Sequence, residues 1–217
     1  TLTRKTSLHR EASKRPPREW RSDFRRKDSI FAGVVDKLIN PRMKSVPPPD
    51  IEQVLQGKAK PCFLILYNSS KPPMCWDLRL DPSQLWSRPL KRQLLNADVA
   101  GFACEPPLRY LRLYHEMLPW YIELEARTGS TGLTLYDLFY EIYCCMQHQI
   151  SAADWLNEEM TPEYQERVYN AYTLRCGHHR DELARGMKRV DFLLDQFIME
   201  GVVKAKNGLW EIKTRTP

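Results

Sequence analysis

The feature that most constrains the fold is a change of hydrophobic period at TGSTG (128–132). Before it, WYIELEAR (120–127) alternates apolar and polar side chains, as a strand with one buried face does. After it, apolar residues recur at helical spacing from Thr134, the expected N-cap. Strands followed by helices predict a single α+β domain, with a mainly antiparallel sheet of about five to seven strands and helices packed on one face.

Other segments carry local signals of their own. The apolar run CFLILYN (62–68) predicts a central strand covered on both faces. CWDLRL (75–80) predicts a strand that buries Trp76, Leu78 and Leu80. The remaining expected elements are strands at 98–104 and 108–116, a short helix at 89–96, a helix from Thr161 to a stop at Gly177, and a terminal hairpin with a type I′ turn at Asn207-Gly208.

The acidic and basic residues of CWDLRLDP (75–82) allow two interpretations. Asp77 and Arg79 could form an acid/base pair, or they could be the solvent side of a strand. Alternation places Asp77, Arg79 and Asp81 on the face opposite the apolar residues. An arginine between two acids favours an ion pair, so we expect this stretch to determine the fold rather than to catalyse a reaction.

Positive charge is concentrated near the amino terminus. Residues 1–45 contain 13 Lys and Arg against 5 Asp and Glu, whereas the whole chain has 33 against 27. The segment also has few periodic apolar residues, so it cannot bury enough surface to offset its ordering entropy. We expect residues 1–50 to form a basic, largely irregular arm with room for one short helix near 29–39, and residues 51–217 to form the compact domain.

The apolar content gives an expectation about the compartment. No apolar run approaches the about 20 residues that cross a bilayer, and the amino terminus has no apolar signal region. Several of the six cysteines lie in apolar runs, where a free thiol packs as a small hydrophobe. We therefore expect no membrane binding and a location in the cytoplasm or nucleus.

Two regions are the expected contact surfaces. The arm combines basic side chains with aromatic ones, and its candidates are Arg18, Trp20, Arg21, Phe24, Arg25, Arg26 and Lys27. They could contact another protein or dock on the arm's own domain; alternatively, residues 1–45 could bind nucleic acid or another acidic surface. Tyr136, Tyr140 and Tyr143 lie off the core face of their helix and could form a sticky patch for a protein partner, or be covered by later loops.

Cysteine and histidine pairs raise the question of a metal site. Cys144 and His148 are four residues apart on one predicted helix, and Cys176 and His178 follow another helix. Thiolates and imidazoles are zinc ligands, and the same pairs could serve a cysteine nucleophile. The spacing matches no standard zinc motif, and no phosphate-binding or nucleophile signature occurs. We assign no catalytic residue and no cofactor, and keep zinc as an alternative.

An ordered set of motifs carries a family resemblance. The motifs are PREWRSDF (17–24), CWDLRLDP (75–82), LPWYIEL (118–124), LTLYDLFYEIY (133–143), AYTLR (171–175) and KRVDFL (188–193). In this order they resemble an uncharacterised fungal family found mainly in basidiomycetes. The resemblance implies a single compact domain and supplies no reaction, ligand or catalytic residue.

Three functional hypotheses follow. The first is a non-enzymatic protein-interaction or scaffolding domain with a basic arm. The second is binding of nucleic acid or an acidic surface through residues 1–45. The third is a zinc-dependent or cysteine enzyme that uses Cys144, His148, Cys176 and His178.

Overall fold

The domain is organised by a sheet of short strands. The computed structural model describes Trp20, Arg21, Asp23, Phe24 and residues 51–217. Its strands are β1 (Lys60–Pro61), β2 (Met74–Asp77), β3 (Trp86–Ser87), β4 (Arg92–Gln93), β5 (Cys104–Glu105), β6 (Tyr110–Tyr114), β7 (Ile122–Glu125), β8 (Ile198–Lys204) and β9 (Trp210–Arg215). Seven of them pair in the order β4-β3-β2-β8-β9-β6-β7, and β1 pairs with β5 separately. All pairs are antiparallel except β6 with β9, which is parallel.

Helices dominate the carboxy-terminal half of the described chain. They are α1 (Ile51–Lys58), α2 (Asn96–Val99), α3 (Leu135–Gln147), α4 (Ala152–Trp155), α5 (Pro162–Cys176) and α6 (Arg180–Ala184), with 3-10 turns at Pro82–Gln84 and Arg189–Leu193. Within the described ranges, no helix has both the length and the apolar character required to cross a membrane. The predicted α+β fold with a mainly antiparallel sheet is confirmed.

Local signals locate α3 and α5 as predicted. Thr134 Oγ1 accepts the N–H of Asp137 at 3.1 Å, and the Asp137 carboxylate accepts the N–H of Thr134 at 3.0 Å. This reciprocal pair satisfies N–H groups that an α-helix leaves unbonded at its start. Helix α5 begins at Pro162 and ends before Gly177, whose φ of 52° suits glycine.

The terminal hairpin is confirmed, but its turn type is not. A type I′ turn needs positive φ at both central residues. Gly208 has a φ of 85°, but the φ of Asn207 is not positive. Instead, Gly208 N–H donates to Ala205 O at 3.2 Å, and Ala205 N–H donates to Leu209 O at 2.8 Å. The loop is therefore three residues long, with glycine in the left-handed position.

The prediction of a strand at 62–68 is wrong. The chain turns there, since the N–H groups of Ile65 and Leu66 both donate to Cys62 O. Only Leu66 forms a bridge, to Val202 of β8. Beside this bridge Gly201 has φ of 146°, and a Cβ on it would lie 2.7 Å from Ile65 O. The apolar run thus packs against β8 as a turn, at a position where glycine allows a close approach and the β8–β9 register shifts.

Three other expectations fail for local reasons. The segment 89–96 is not a helix, because its chain reverses between β3 and β4, with Lys91 at φ of 54°. At 98–104 the chain forms the end of α2 and then the short β5. The strand containing Trp76 ends at Asp77, because the chain turns there and Leu80 N–H donates to Asp77 O. Leu80 is consequently exposed, whereas Leu78 is buried.

The Asp77–Arg79 ion pair is present as predicted. Arg79 Nη2 lies 2.6 Å from Asp77 Oδ2, and Arg79 Nε donates to Asp77 Oδ1 at 2.9 Å. Asp81 does not join them; it accepts the N–H of Ser83 at the following turn. The charged residues of this stretch thus hold a turn in place.

Candidate functional site

Strand β7 forms one edge of the seven-stranded sheet. Ala126 N–H donates to Arg109 O at 2.7 Å, and this bond shows which opposite residues of β6 and β7 are hydrogen-bonded pairs. Because bonded and non-bonded pairs alternate in an antiparallel ladder, Ile122 and Leu124 direct their main-chain groups toward β6. The N–H and C=O groups of Glu123 and Glu125 therefore point away from the sheet.

The residue opposite Glu123 confirms which main-chain groups point away from the β6–β7 pair. Arg112 on β6 directs its own main-chain groups away from β7, where the buried amide of Gln56 meets both. Arg112 N–H donates to Gln56 Oε1 at 2.9 Å, and Gln56 Nε2 donates to Arg112 O at 2.7 Å. No such partner exists for the outward main-chain groups of Glu123 and Glu125 among the residues that the structure describes.

Helix α3 forms a second wall beside this edge. Its exposed residues recur every fourth position and form what we call the α3 stripe: Tyr136, Tyr140, Cys144 and His148. The rings of Tyr136 and Tyr140 stack with centroids 5.8 Å apart and planes 7° from parallel. Tyr143 differs from them, since it is partly buried and packs against the core. The aromatic patch predicted for a partner is thus two tyrosines rather than three.

A groove of about 590 Å³ lies between the start of β7 and the end of α3. It is lined by residues 120–123, by Arg189, and by four residues of α3 and its end: Glu141, Cys144, Cys145 and His148. Arg189 lies over the Trp120 ring at 4.7 Å and donates to Cys145 Sγ at 3.4 Å. We call this cavity, with the free edge of β7 and the α3 stripe, the β7–α3 groove.

The opposite end of the groove is also held by an arginine. Arg127 follows β7 and pairs with Asp137 at 3.0 Å, and its guanidinium lies 5.0 Å from the Tyr136 ring. The end of β7 is thereby joined to the start of α3. Contacts at both ends keep the edge strand and the stripe side by side along their length.

The electrostatics of the groove do not activate the Cys145 thiol. Burial raises the pKa of the Cys145 thiol, so this thiol stays protonated near neutral pH. The hydrogen bond to Cys144 is the main cause that raises the pKa of Tyr140. Both groups therefore act as neutral donors and acceptors at physiological pH.

The four residues considered for zinc do not meet. Cys144 and His148 border the groove, whereas Cys176 is buried at the end of α5 and His178 is exposed beyond it. Burial raises the pKa of the Cys176 thiol. In the described part of the chain, no group of three or more His, Cys, Asp or Glu side chains is placed to hold a metal ion.

Part of the predicted arm packs on the domain beside the groove. Trp20, Arg21 and Phe24 are buried, and we call them with Asp23 the anchor residues. Trp20 Nε1 donates to Asp154 Oδ1 at 2.9 Å, and its ring meets that of Trp120 edge-on, with centroids 6.1 Å apart.

Further hydrogen bonds fix the anchor residues. Arg21 N–H donates to Pro119 O at 2.6 Å, and Arg21 Nη1 donates to His115 O at 3.0 Å. The Tyr121 hydroxyl bonds Asp23 Oδ1 at 2.8 Å.

These contacts bear on the arm candidates. The side chains of Trp20, Arg21 and Phe24 are buried against the domain, so they are not exposed to a second molecule in this structure. Binding of nucleic acid through residues 1–45 stays a prediction. Arg18, Arg25, Arg26, Lys27 and the predicted helix at 29–39 lie outside the described residues.

Fold and site together define an α+β domain whose sheet leaves one edge strand open beside a helix-walled groove. A family model described as "Family of unknown function (DUF6699)" matches residues 74–208, more than half of the chain, and the chain belongs to that family. No curated protein and no solved structure matches the chain. The match includes β7 and α3, and it excludes the anchor residues, α1 and β9. The resemblance to an uncharacterised family is confirmed, while its fungal source stays a prediction.

The sequence predicted the groove's tyrosines, its thiols and its strand. It did not predict that this strand lies at the edge of the sheet. Alternation in WYIELEAR predicted which side chains are buried, and Ile122 and Leu124 are indeed buried. It carried no information on which strand would lie at the edge. The only sequence signal for an open edge is the absence of proline from Ile122–Glu125.

Proposed function

We propose that this chain is a protein-interaction domain that binds an extended segment of a partner along the free edge of β7. The observation that carries the proposal is the set of outward N–H and C=O groups on Glu123 and Glu125. Residues two apart on a strand present these groups at a spacing that an added strand matches. Main-chain hydrogen bonds would supply affinity, and side chains at alternate positions would supply selectivity.

The surroundings of the edge support this function. Natural sheets commonly protect open edges with short strands, charged side chains, proline, bulges or a covering segment. Strand β7 is short and carries two glutamates, but it has neither proline nor a register shift, and no described segment covers it. On the core side of the edge, the β7–α3 groove leaves about 590 Å³ for the side chains of an added strand, and the Tyr136–Tyr140 pair borders the same path.

Charge favours a basic partner segment. The Glu123 carboxylate lies 2.8 Å from Arg112 Nη2, whereas Glu125 and Glu141 have no ion pair within the described ranges. Lys or Arg at alternate positions of an added strand would stand near these acids. A second copy fits less well, because antiparallel pairing of two β7 strands would bring like carboxylates together across the pair.

A peptide titration tests the proposal. The probe is a fluorescein-labelled octapeptide of alternating Lys and Val, read by anisotropy, with the Glu-Val counterpart as control. Glu123→Pro removes an outward N–H without touching the bonds to β6, whereas Glu123→Gln keeps that N–H and removes the charge.

We expect the proline variant to weaken binding of the Lys-Val peptide by about tenfold or more, and the glutamine variant by about twofold to fivefold. Circular dichroism verifies that both variants fold. Equal binding by the wild type and the proline variant would refute edge addition, and preference for the Glu-Val peptide would refute the basic partner.

A further inference from the structure

We propose a second, independent binding site: a cleft beside α5 that takes a small ligand with a carboxylate on an apolar body. The cleft has a volume of about 420 Å³ and lies between α5, residues 190–197 and Arg79. Its floor and wall are apolar and include Val190, Leu194 and Phe197. A cleft of this size, mostly apolar with a few fixed polar groups, is typical of small-ligand sites.

Arg79 is the fixed polar group of this cleft. Asp77 holds the Nε and Nη2 edge of the guanidinium, with contacts of 2.9 and 2.6 Å. The face of the guanidinium lies over the Phe197 ring at 3.6 Å. Its Nη1 has no hydrogen-bond partner among the described residues. The donor is therefore held in one orientation before any ligand arrives, so little side-chain entropy is lost on binding.

The apolar side of the cleft is open at Leu174. This side chain is 81% exposed, the largest fraction among the exposed large apolar residues of the described chain. It lies on α5 and lines the cleft together with Phe197. A hydrocarbon body in the cleft would cover Leu174 and gain the free energy of removing apolar surface from water.

The other charges of the cleft decide what sign of ligand it prefers. Arg175 is fully engaged, since it bonds Asp191, Glu182 and the Gly186 carbonyl. Asp195 also lines the cleft, and it makes no ion pair with any residue that the structure describes. Arg167 is a further cation of the lining, and it already has an interaction of its own. The open donor of Arg79 thus attracts a carboxylate, while Asp195 opposes it.

Three stretches far apart in sequence meet in this cleft. Arg79 belongs to CWDLRLDP, Leu174 and Arg175 belong to AYTLR, and Val190 and Asp191 belong to KRVDFL. All lie within the residues that the family model matches. The buried Arg175–Asp191 pair, at 2.7 Å, joins α5 to the 3-10 turn at Arg189–Leu193 and so fixes two walls of the cleft.

Calorimetric titration of the full chain with octanoate tests the inference, with octylammonium and octanol as matched probes. We expect octanoate to bind most tightly. Arg79→Gln should weaken octanoate binding by about tenfold, since a charge-assisted hydrogen bond is lost. Asp195→Asn should strengthen it by about twofold to fivefold, because a repelling charge is removed.

Leu174→Gln is a second variant that tests octanoate binding if Arg79→Gln fails to fold. Leu174 is exposed, so the substitution leaves the core intact while it removes apolar contact with the ligand, and octanoate binding should fall by about threefold or more. Absence of octanoate binding, tighter binding of octylammonium, or weaker binding by Asp195→Asn would overturn the proposal. None of these outcomes bears on the β7–α3 groove, which the cleft does not share.

Discussion

The buried imidazole of His115 makes the stability of this protein depend on pH. Its Nδ1 accepts the N–H of Met117 at 3.1 Å, so the proton of the neutral ring lies on Nε2, 2.8 Å from Thr214 Oγ1. A second proton would place an N–H on Nδ1, directed at the N–H of Met117. Burial is the main cause that lowers the pKa of His115 from its ordinary 6.5 to about 4.

The sign of the effect follows from this lowered pKa. As the pH falls below 6.5, the unfolded chain takes up a proton on His115 before the folded chain does, so acid favours unfolding. The loss begins near pH 6.5 and is complete below pH 4, where it totals about 3 kcal/mol. Between pH 7 and pH 5, the same two pKa values give a loss of about 2 kcal/mol from this residue alone.

Urea unfolding at pH 7 and pH 5 measures this loss when it is compared with His115→Gln. The variant cannot take up the proton, and every carboxylate titrates in both proteins, so the difference between their pH dependences isolates His115. We expect the wild type to lose about 2 kcal/mol more than the variant. His148→Gln, which removes an exposed imidazole, is the control and should behave as the wild type does. Equal losses in the wild type and His115→Gln would refute the reasoning.

Four substitutions test the packing by urea unfolding. Gln56→Leu keeps the volume but removes the amide that bonds both the N–H and the C=O of Arg112, so we expect unfolding to cost about 2–4 kcal/mol less; a loss below about 1 kcal/mol would mean that water replaces the amide. Trp20→Ala should cost about 3–5 kcal/mol, because a buried indole is removed, and an unchanged midpoint would show that the anchor residues do not pack in solution. Gly201→Ala, whose Cβ would lie 2.7 Å from a main-chain oxygen, should cost about 3 kcal/mol. Gly177→Ala, at φ of 52° with open space around it, should cost about 1 kcal/mol, so equal losses would contradict this account.

The helices were predictable because their signals are local. Thr134 lies three residues before Asp137, and the structure contains the reciprocal hydrogen bonds that this spacing allows. Pro162 and Gly177 bound α5 for equally local reasons. The terminal hairpin belongs to the same class, although its loop has three residues instead of the predicted two.

The segment at 62–68 shows where local patterns fail. Its residues have the composition of a buried strand, yet Phe63 is 64% exposed and Leu64 is buried. Its conformation depends on strand β8, more than a hundred residues later, where Gly201 allows a close approach and Val202 N–H bonds Ile65 O at 2.7 Å. A turn that follows the shape of β8 cannot be recognised from its own apolar content.

The open edge of β7 depends on the order of strands, and this order is set by the end of the chain. The parallel pairing of β9 with β6 places β9 between β8 and β6, so the β6–β7 pair lies at the side of the sheet and β7 becomes its last strand. Helix α1 completes the arrangement, because Gln56 bonds the part of β6 that β9 does not reach. Both elements lie outside the residues that the family model matches, yet together they determine which strand is left free to bind. The alternation within β7 could therefore reveal which side chains it buries, but not that its main chain faces solvent.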